Sequence, residues 1–262
     1  MKLHIKNNAK SYIRITRPLL PAITVLALSL AQSQADILGS ADSFAVLGGT
    51  AVTSTGFTVL NGDLGVSPGT AITGFPPGIV NGNTYSAGST ASLAQTDAGL
   101  AFDALALEPA TQSLTGIDMG GLVLYPGVYN YAASGGLTGT LTLDAQGDPN
   151  ATFVFQMGST LLAAAGSSVV LTGGAHSANV FWAVGSSATI GASDTFVGNI
   201  LAAASITIGA GTTLDGRALA DAAITLADND ITVPSPVPEP ASVALFALCP
   251  VAFGVRRWLQ TR

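Results

Sequence analysis

Between residues 36 and 233, apolar and polar side chains alternate in short runs, and nearly every run is punctuated by glycine. That is the pattern of short strands joined by tight turns. One segment breaks it. From about Ala91 to Leu107, the residues Leu93, Leu100, Ala104 and Leu107 recur at helical spacing, with Asp97 and Asp103 off the stripe. Ser89 or Thr90 stands where an N-cap is needed, and Pro109 follows the end. The spacing predicts one amphipathic helix whose leucine stripe packs along a larger body.

The later half repeats. Phe155-Gln156-Met157-Gly158-Ser159 aligns without gaps on Trp182-Ala183-Val184-Gly185-Ser186. Leu201-Ala202-Ala203-Ala204-Ser205 opens a third unit and Leu219-Ala220-Asp221-Ala222-Ala223 a fourth, 18 residues further on. Units of this length, built of short strands and turns, predict a solenoid. Because strand residues i and i+2 share a face, three columns should point inward. They are Leu161, Ala188, Ile206 and Ile224; then Ala163, Ile190, Ile208 and Leu226; then, past the turn, Val169, Phe196, Leu214 and Ile231.

The intervening columns should point outward. Thr160, Ser187, Ser205 and Ala223 form one; Leu162, Thr189, Thr207 and Thr225 the next; Ala164, Gly191, Gly209 and Ala227 the third. None is charged, and the acids Asp194, Asp215, Asp221, Asp228 and Asp230 are expected near turns. The candidate binding face is therefore Thr160, Ser187, Thr189, Ser205, Thr207, Thr225, Gly191 and Gly209, a flat band of small, mildly polar groups.

Charge sharpens this. The formal net charge of the whole chain is −6, but five of its nine cations lie in the first seventeen positions and three lie after Val255. Between 36 and 237 only Arg217 faces fourteen carboxylates, a net charge near −13. Such a body repels nucleic acid and anionic lipid, which excludes both as partners. The single cysteine, Cys249, lies in the tail, so the body holds no disulfide and no thiol chemistry.

The ends carry their own signals. Residues 1–35 combine Lys2, Lys6, Lys10, Arg14 and Arg17 with an apolar run from Leu19 to Ala31 and a small-x-small site, Ser33-Gln34-Ala35. This is how a secretory signal peptide reads, with cleavage after Ala35. At the other end, in residues 234–262, Pro238-Glu239-Pro240 precedes an apolar stretch from Ala241 to Val255 and the pair Arg256-Arg257. The order resembles the PEP-CTERM sorting signal of Gram-negative bacteria. That resemblance implies transient anchoring in the inner membrane, cutting by an exosortase-type enzyme, and release or attachment outside the cell. Membrane contact is expected only through these two end segments.

Motifs spread over residues 37–233 also carry a resemblance. Ser43-Phe44-Ala45-Val46-Leu47, Asn61-Gly62-Asp63-Leu64-Gly65-Val66-Ser67-Pro68-Gly69 and Gly74-Phe75-Pro76-Pro77-Gly78 look like the start of the microbial ice-binding family of bacteria, fungi and algae. Pro126-Gly127-Val128-Tyr129, Phe153-Val154-Phe155-Gln156, Asn179-Val180-Phe181-Trp182, Gly198-Asn199-Ile200-Leu201-Ala202 and Gly216-Arg217-Ala218-Leu219 continue it in order. The resemblance implies a mostly β fold, a discontinuous β-solenoid (β-helix) of triangular cross-section with one long α-helix packed alongside. It also implies adsorption to ice or ordered water through one flat face of small residues and threonines. Leu162 and Ala164 depart from the family's hydroxyl pattern there, and Asp194 is expected to interrupt another outward column.

Catalysis has little to stand on. The body has one histidine, His176, in a turn-like Gly173-Gly174-Ala175-His176-Ser177, and no lysine or cysteine. Schiff bases, cysteine nucleophiles and His-rich zinc sites are thereby removed, and no nucleophile elbow is visible. Asp228-Asn229-Asp230 and the acids Asp144 and Asp148 with Asn150 offer oxygens to a hard cation in turns, without matching a calcium-loop pattern. The expectation is a monomeric non-enzyme without cofactor, either an ice-binding protein or an adhesin or matrix component on the same fold.

Overall fold

The structure, a computed structural model, describes residues 37–235; the signal-peptide and sorting-signal readings fall outside the described residues. Every strand pair formed is parallel, and each coil visits three sides. One side is a seven-stranded sheet in the order Gly135–Leu137, Leu161–Ala163, Ala188–Ile190, Ile206–Ile208, Ala223–Ala227, Ala51–Thr55, Ala71–Thr73. The other two sides share a fifteen-stranded sheet, because Thr195–Ala202 and Thr213–Ala220 turn a corner without breaking. Gly198 sits at that corner with φ +111°, where a Cβ would lie 2.8 Å from Trp182 Nε1. Only glycine tolerates both demands.

The order of coils is not the order of the chain. The N-terminal segment stacks after the last C-terminal coil: Val46 pairs with Ala218, Thr53 with Thr225 and Leu60 with Ile231. The solenoid is thus discontinuous, as the resemblance implied. Arg217 fastens the return. It is 3% exposed, and it donates from Nη2 to Asp42 Oδ1 at 2.7 Å, from Nε to Asp42 O at 2.8 Å and from Nη1 to Asn199 Oδ1 at 2.7 Å.

The helix α1 (Ser89–Leu107) carries the chain back from the N-terminal coils to the start of the stack. At 1.5 Å per residue it is about 28 Å long. Its buried stripe is Ala91, Ala94, Ala98, Ala101 and Leu105, while Leu93, Leu100 and Leu107 are more than half exposed and Ala104 is exposed. The expected leucine face is therefore wrong. The side beneath the helix already presents Phe44, Leu47, Val154, Phe181, Leu201 and Leu219, so four alanines let the helix axis approach closely along most of its length, and Leu105 is buried only in its last turn. The expected Ser or Thr cap is also absent; Gly88 with φ 90° precedes the first turn without a side-chain cap. The C-terminal carbonyls are satisfied from the body, with Gln156 Nε2 donating to Leu105 O and Glu108 O at 2.8 Å each. Asp97, off the predicted stripe, accepts the Ser40 N–H at 2.8 Å and the Ser40 hydroxyl at 2.6 Å. These bonds, the hydroxyl's foremost, hold its carboxyl below the usual range.

All three predicted inward columns are buried. Between them an aromatic file runs along the interior: Tyr129 on Phe155 at 5.4 Å, Phe155 on Trp182 at 4.1 Å and Trp182 on Phe196 at 4.9 Å. Tyr129, Phe155 and Trp182 come from successive coils in register, so their stacking helps fix one coil on the next, while Phe196 tilts against Trp182 from within the same coil.

Candidate functional site

The seven-stranded side is the candidate. Its backbone alternation sends Val52, Ile72, Ala188, Ile206 and Ile224 inward and Thr53, Thr73, Thr189, Thr207 and Thr225 outward. The pairings Thr189–Thr207, Thr207–Thr225, Thr225–Thr53 and Thr53–Thr73 place the five threonines on one line. With strands about 4.8 Å apart the line is about 19 Å long. All five are exposed. Three of them were expected; Thr53 and Thr73 were not. The missed signal is a tripeptide of small residue, apolar residue and threonine, repeated as Ser187-Ala188-Thr189, Ser205-Ile206-Thr207, Ala223-Ile224-Thr225, Ala51-Val52-Thr53 and Ala71-Ile72-Thr73.

The flanking columns behave differently. Thr160, Ser187 and Ser205 are half-buried at one rim. Thr160 donates its hydroxyl to Ser134 Oγ at 2.8 Å, and Ser187 Oγ accepts the Ser205 N–H at 3.4 Å. Their hydroxyls serve the coil, whereas the central threonines turn theirs outward; the one internal link among them is Thr73 to Thr53 at 3.3 Å. At the opposite rim Gly191 and Gly209 follow their strands where coils crowd. A Cβ would meet the neighbouring backbone at 2.5 Å for Gly191 and 2.6 Å for Gly209. Both residues are at the edge for close packing.

Behind that rim lies a ladder the sequence reading did not anticipate. Ser167, Asp194, Thr212, Asn229 and Thr58 occupy equivalent corner positions in successive coils, each 2% exposed or less. Asp194 accepts from Ser167 N at 2.7 Å and Gly191 N at 2.9 Å, and the Thr212 hydroxyl receives the Asp194 N–H at 3.2 Å. Asn229 donates to Gly209 O at 2.7 Å and takes the Ala227 N–H at 2.6 Å. Asp194 therefore does not interrupt an outward column; it is folded under the turn, where burial pushes its carboxyl above the usual range against the pull of those N–H donors. The ladder satisfies the corner's backbone and holds the edge of the face in one geometry.

The remaining two sides contrast with this one. One is covered by α1. The other carries Asp215 mid-strand, not at a turn as expected, and Asp230 beside Asn61, which donates to it at 3.1 Å. On the seven-stranded side no charged residue occupies an outward position within its strands among the described residues. The first carboxylate is Asp118, bridged to Gly136 beyond the edge strand and held by Gly120 N and Thr138 N. The acid turns suspected of cation binding use their oxygens on the backbone. Asp228 accepts Phe57 N, Asp144 accepts Gln146 N, and Asp148 accepts Asn150 N. His176 precedes a single 3-10 turn, Ser177–Asn179.

A rigid, flat, uncharged array of this kind can bind a repetitive partner. Threonine offers a methyl and a hydroxyl held by a stiff χ1, and the scaffold is ordered before binding, so many weak contacts add without further ordering cost.

Comparison with known proteins points the same way. The family model described as "Ice-binding-like" matches residues 46–232. An ice-binding protein of Nostoc sp. (strain HG1) is 48% identical over 198 residues, covering 74% of this chain and 73% of the relative. A crystal structure of an ice binding protein from an Antarctic biological consortium superposes with a TM-score of 0.74 at 44% identity, covering 76% of this chain and 90% of the other. That of the ice-binding protein from the Antarctic ascomycete Antarctomyces psychrotrophicus gives 0.74 at 43%, covering 76% and 98%.

Proposed function

The chain belongs to the ice-binding-like family, and on that premise we propose that it adsorbs to ice through the side carrying Thr189, Thr207, Thr225, Thr53 and Thr73. The observation that carries the reading is the placement of five exposed threonines in one register on an uncharged side of a body whose charge is near −13. Rungs about 4.8 Å apart along the stack, with alternate residues about 6.7 Å apart along each strand, make a fixed grid. A carboxylate on that grid would keep its own hydration shell and spoil the match with ordered water. The side bearing Asp215 and Asp230 is disfavoured for that reason.

The protein acts on this reading without catalysis or cofactor, as a monomer exported beyond the cell. The leader in residues 1–35 directs export, and an exosortase-type enzyme acts on the tail at Pro238-Glu239-Pro240, with Arg256 and Arg257 held on the cytoplasmic side until cleavage.

The test is direct: a purified 36–237 fragment at micromolar concentration should facet growing ice crystals and suppress recrystallisation. Round, unfaceted crystals identical to those in buffer would refute the proposal and favour an adhesin or matrix role for the same scaffold.

A further inference from the structure

We propose that Leu162 terminates the ice-contacting ladder, so that the productive part of the face runs from Thr189 to Thr73 and stops one rung short of what the scaffold allows; this rests on the reading of that side as the one that meets ice.

Leu162 occupies the same outward column, paired with Thr189 on one side and Gly136 on the other. Its neighbours along the strand, Leu161 and Ala163, are 1% exposed, so the rung itself is built like the others. The side chain is 57% exposed, and as an outward residue it adds little to the interior. It ends in two methyls one bond further out than any atom of threonine, and it brings no hydroxyl. It also has more rotamer freedom than a β-branched residue, which must be given up on contact.

The relief beyond it is equally unsuited. Gly136 drops the surface to the backbone, and Asp118 then places a carboxylate beside it. The hydroxyls of the adjoining rim cannot compensate, because Thr160 and Ser134 are bonded to each other at 2.8 Å. The face is therefore level for five rungs, raised at the sixth, lowered at the seventh, and charged after that.

The experiment compares the full-length chain with Leu162→Thr and Leu162→Ala, each matured identically, at equal molar concentration, reading thermal hysteresis and the thermal midpoint. Leu162→Thr should raise hysteresis by about 1.5-fold, since one preorganised rung joins five, with the midpoint unchanged. Leu162→Ala levels the rung without supplying a hydroxyl and should hold hysteresis at or above the parent value. An active parent whose Leu162→Thr variant is no better, or whose Leu162→Ala variant is worse, overturns this assignment alone, because Leu162 would then be a working contact. A parent without hysteresis overturns it together with the proposed function.

Discussion

Thr207 is the residue at which the face can be separated from the core. It stands between Thr189 and Thr225, exposed, while Ile206 and Ile208 beside it are 0% and 1% exposed. Thr207→Tyr puts a ring on the grid and removes nothing buried, so its effect on stability should stay within about 0.5 kcal/mol. Ice activity should nevertheless fall severely, because a protruding ring lifts the neighbouring rungs from the lattice. Ile206→Ala should behave oppositely, opening a cavity at a cost of roughly 2–5 kcal/mol. Thermal midpoints and ice shaping on the two variants decide the matter; full activity in Thr207→Tyr would mean that another side meets ice. The corner ladder gives a companion test. Asp194→Ala leaves the N–H groups of Ser167 and Gly191 without their acceptor, and a buried orphan of this kind costs about 1–3 kcal/mol. A lowered midpoint is expected although no apolar contact is lost.

At the scale of elements, two of the five threonines reach the face only because the N-terminal segment returns to the far end of the stack. Arg217 adds a side-chain tie from the last coils to Asp42 alongside the strand pairing, so Arg217→Met should loosen that segment selectively. Amides in Phe44–Gly48 and Ala51–Thr55 should exchange faster with deuterium, those in Val180–Val184 should stay protected, and ice activity should fall with the lost rungs. Uniform exchange over both regions would show instead that the segment is held by its strand pairing alone. The same division explains what was legible in the sequence. The C-terminal coils resemble one another closely, with a first step of 27 residues and later steps of about 18, so their inward columns and the threonines Thr189, Thr207 and Thr225 align from the sequence. Thr53 and Thr73 carry the same tripeptide, but their place beside Thr225 depends on a pairing across more than 170 residues that no local pattern announces. The order of coils was available only through the family resemblance. The helix was legible as a helix, since its period is local. Its buried face was not, because the large side chains beneath it selected alanine over leucine.

For the whole molecule, the distribution of charge links fold, face and export. Among the described residues the strands of that side carry no carboxylate, and the acids lie in the turns, the helix and the other sides, where the exposed ones keep an apolar, glycine-rich body soluble. Eight of the nine cations are gathered instead in the two end segments, with Arg217 the one left to the body. That separation makes sense if the ends address membranes and the body meets ice, since a cationic leader and a basic tail suit the cytoplasmic side of a bilayer. The apolar stretch from Ala241 to Val255 is short for a permanent span, which needs about 20 residues, and this favours a temporary anchor over a lasting one. Protein recovered from its host should therefore begin at Asp36 and end in the Pro238-Glu239-Pro240 region. Intact-mass measurement reads both ends at once. A mass that includes Met1–Ala35 would refute the leader; one that still includes Arg262 would mean that the tail stays as an anchor, and the ice-contacting side would then work tethered to the membrane.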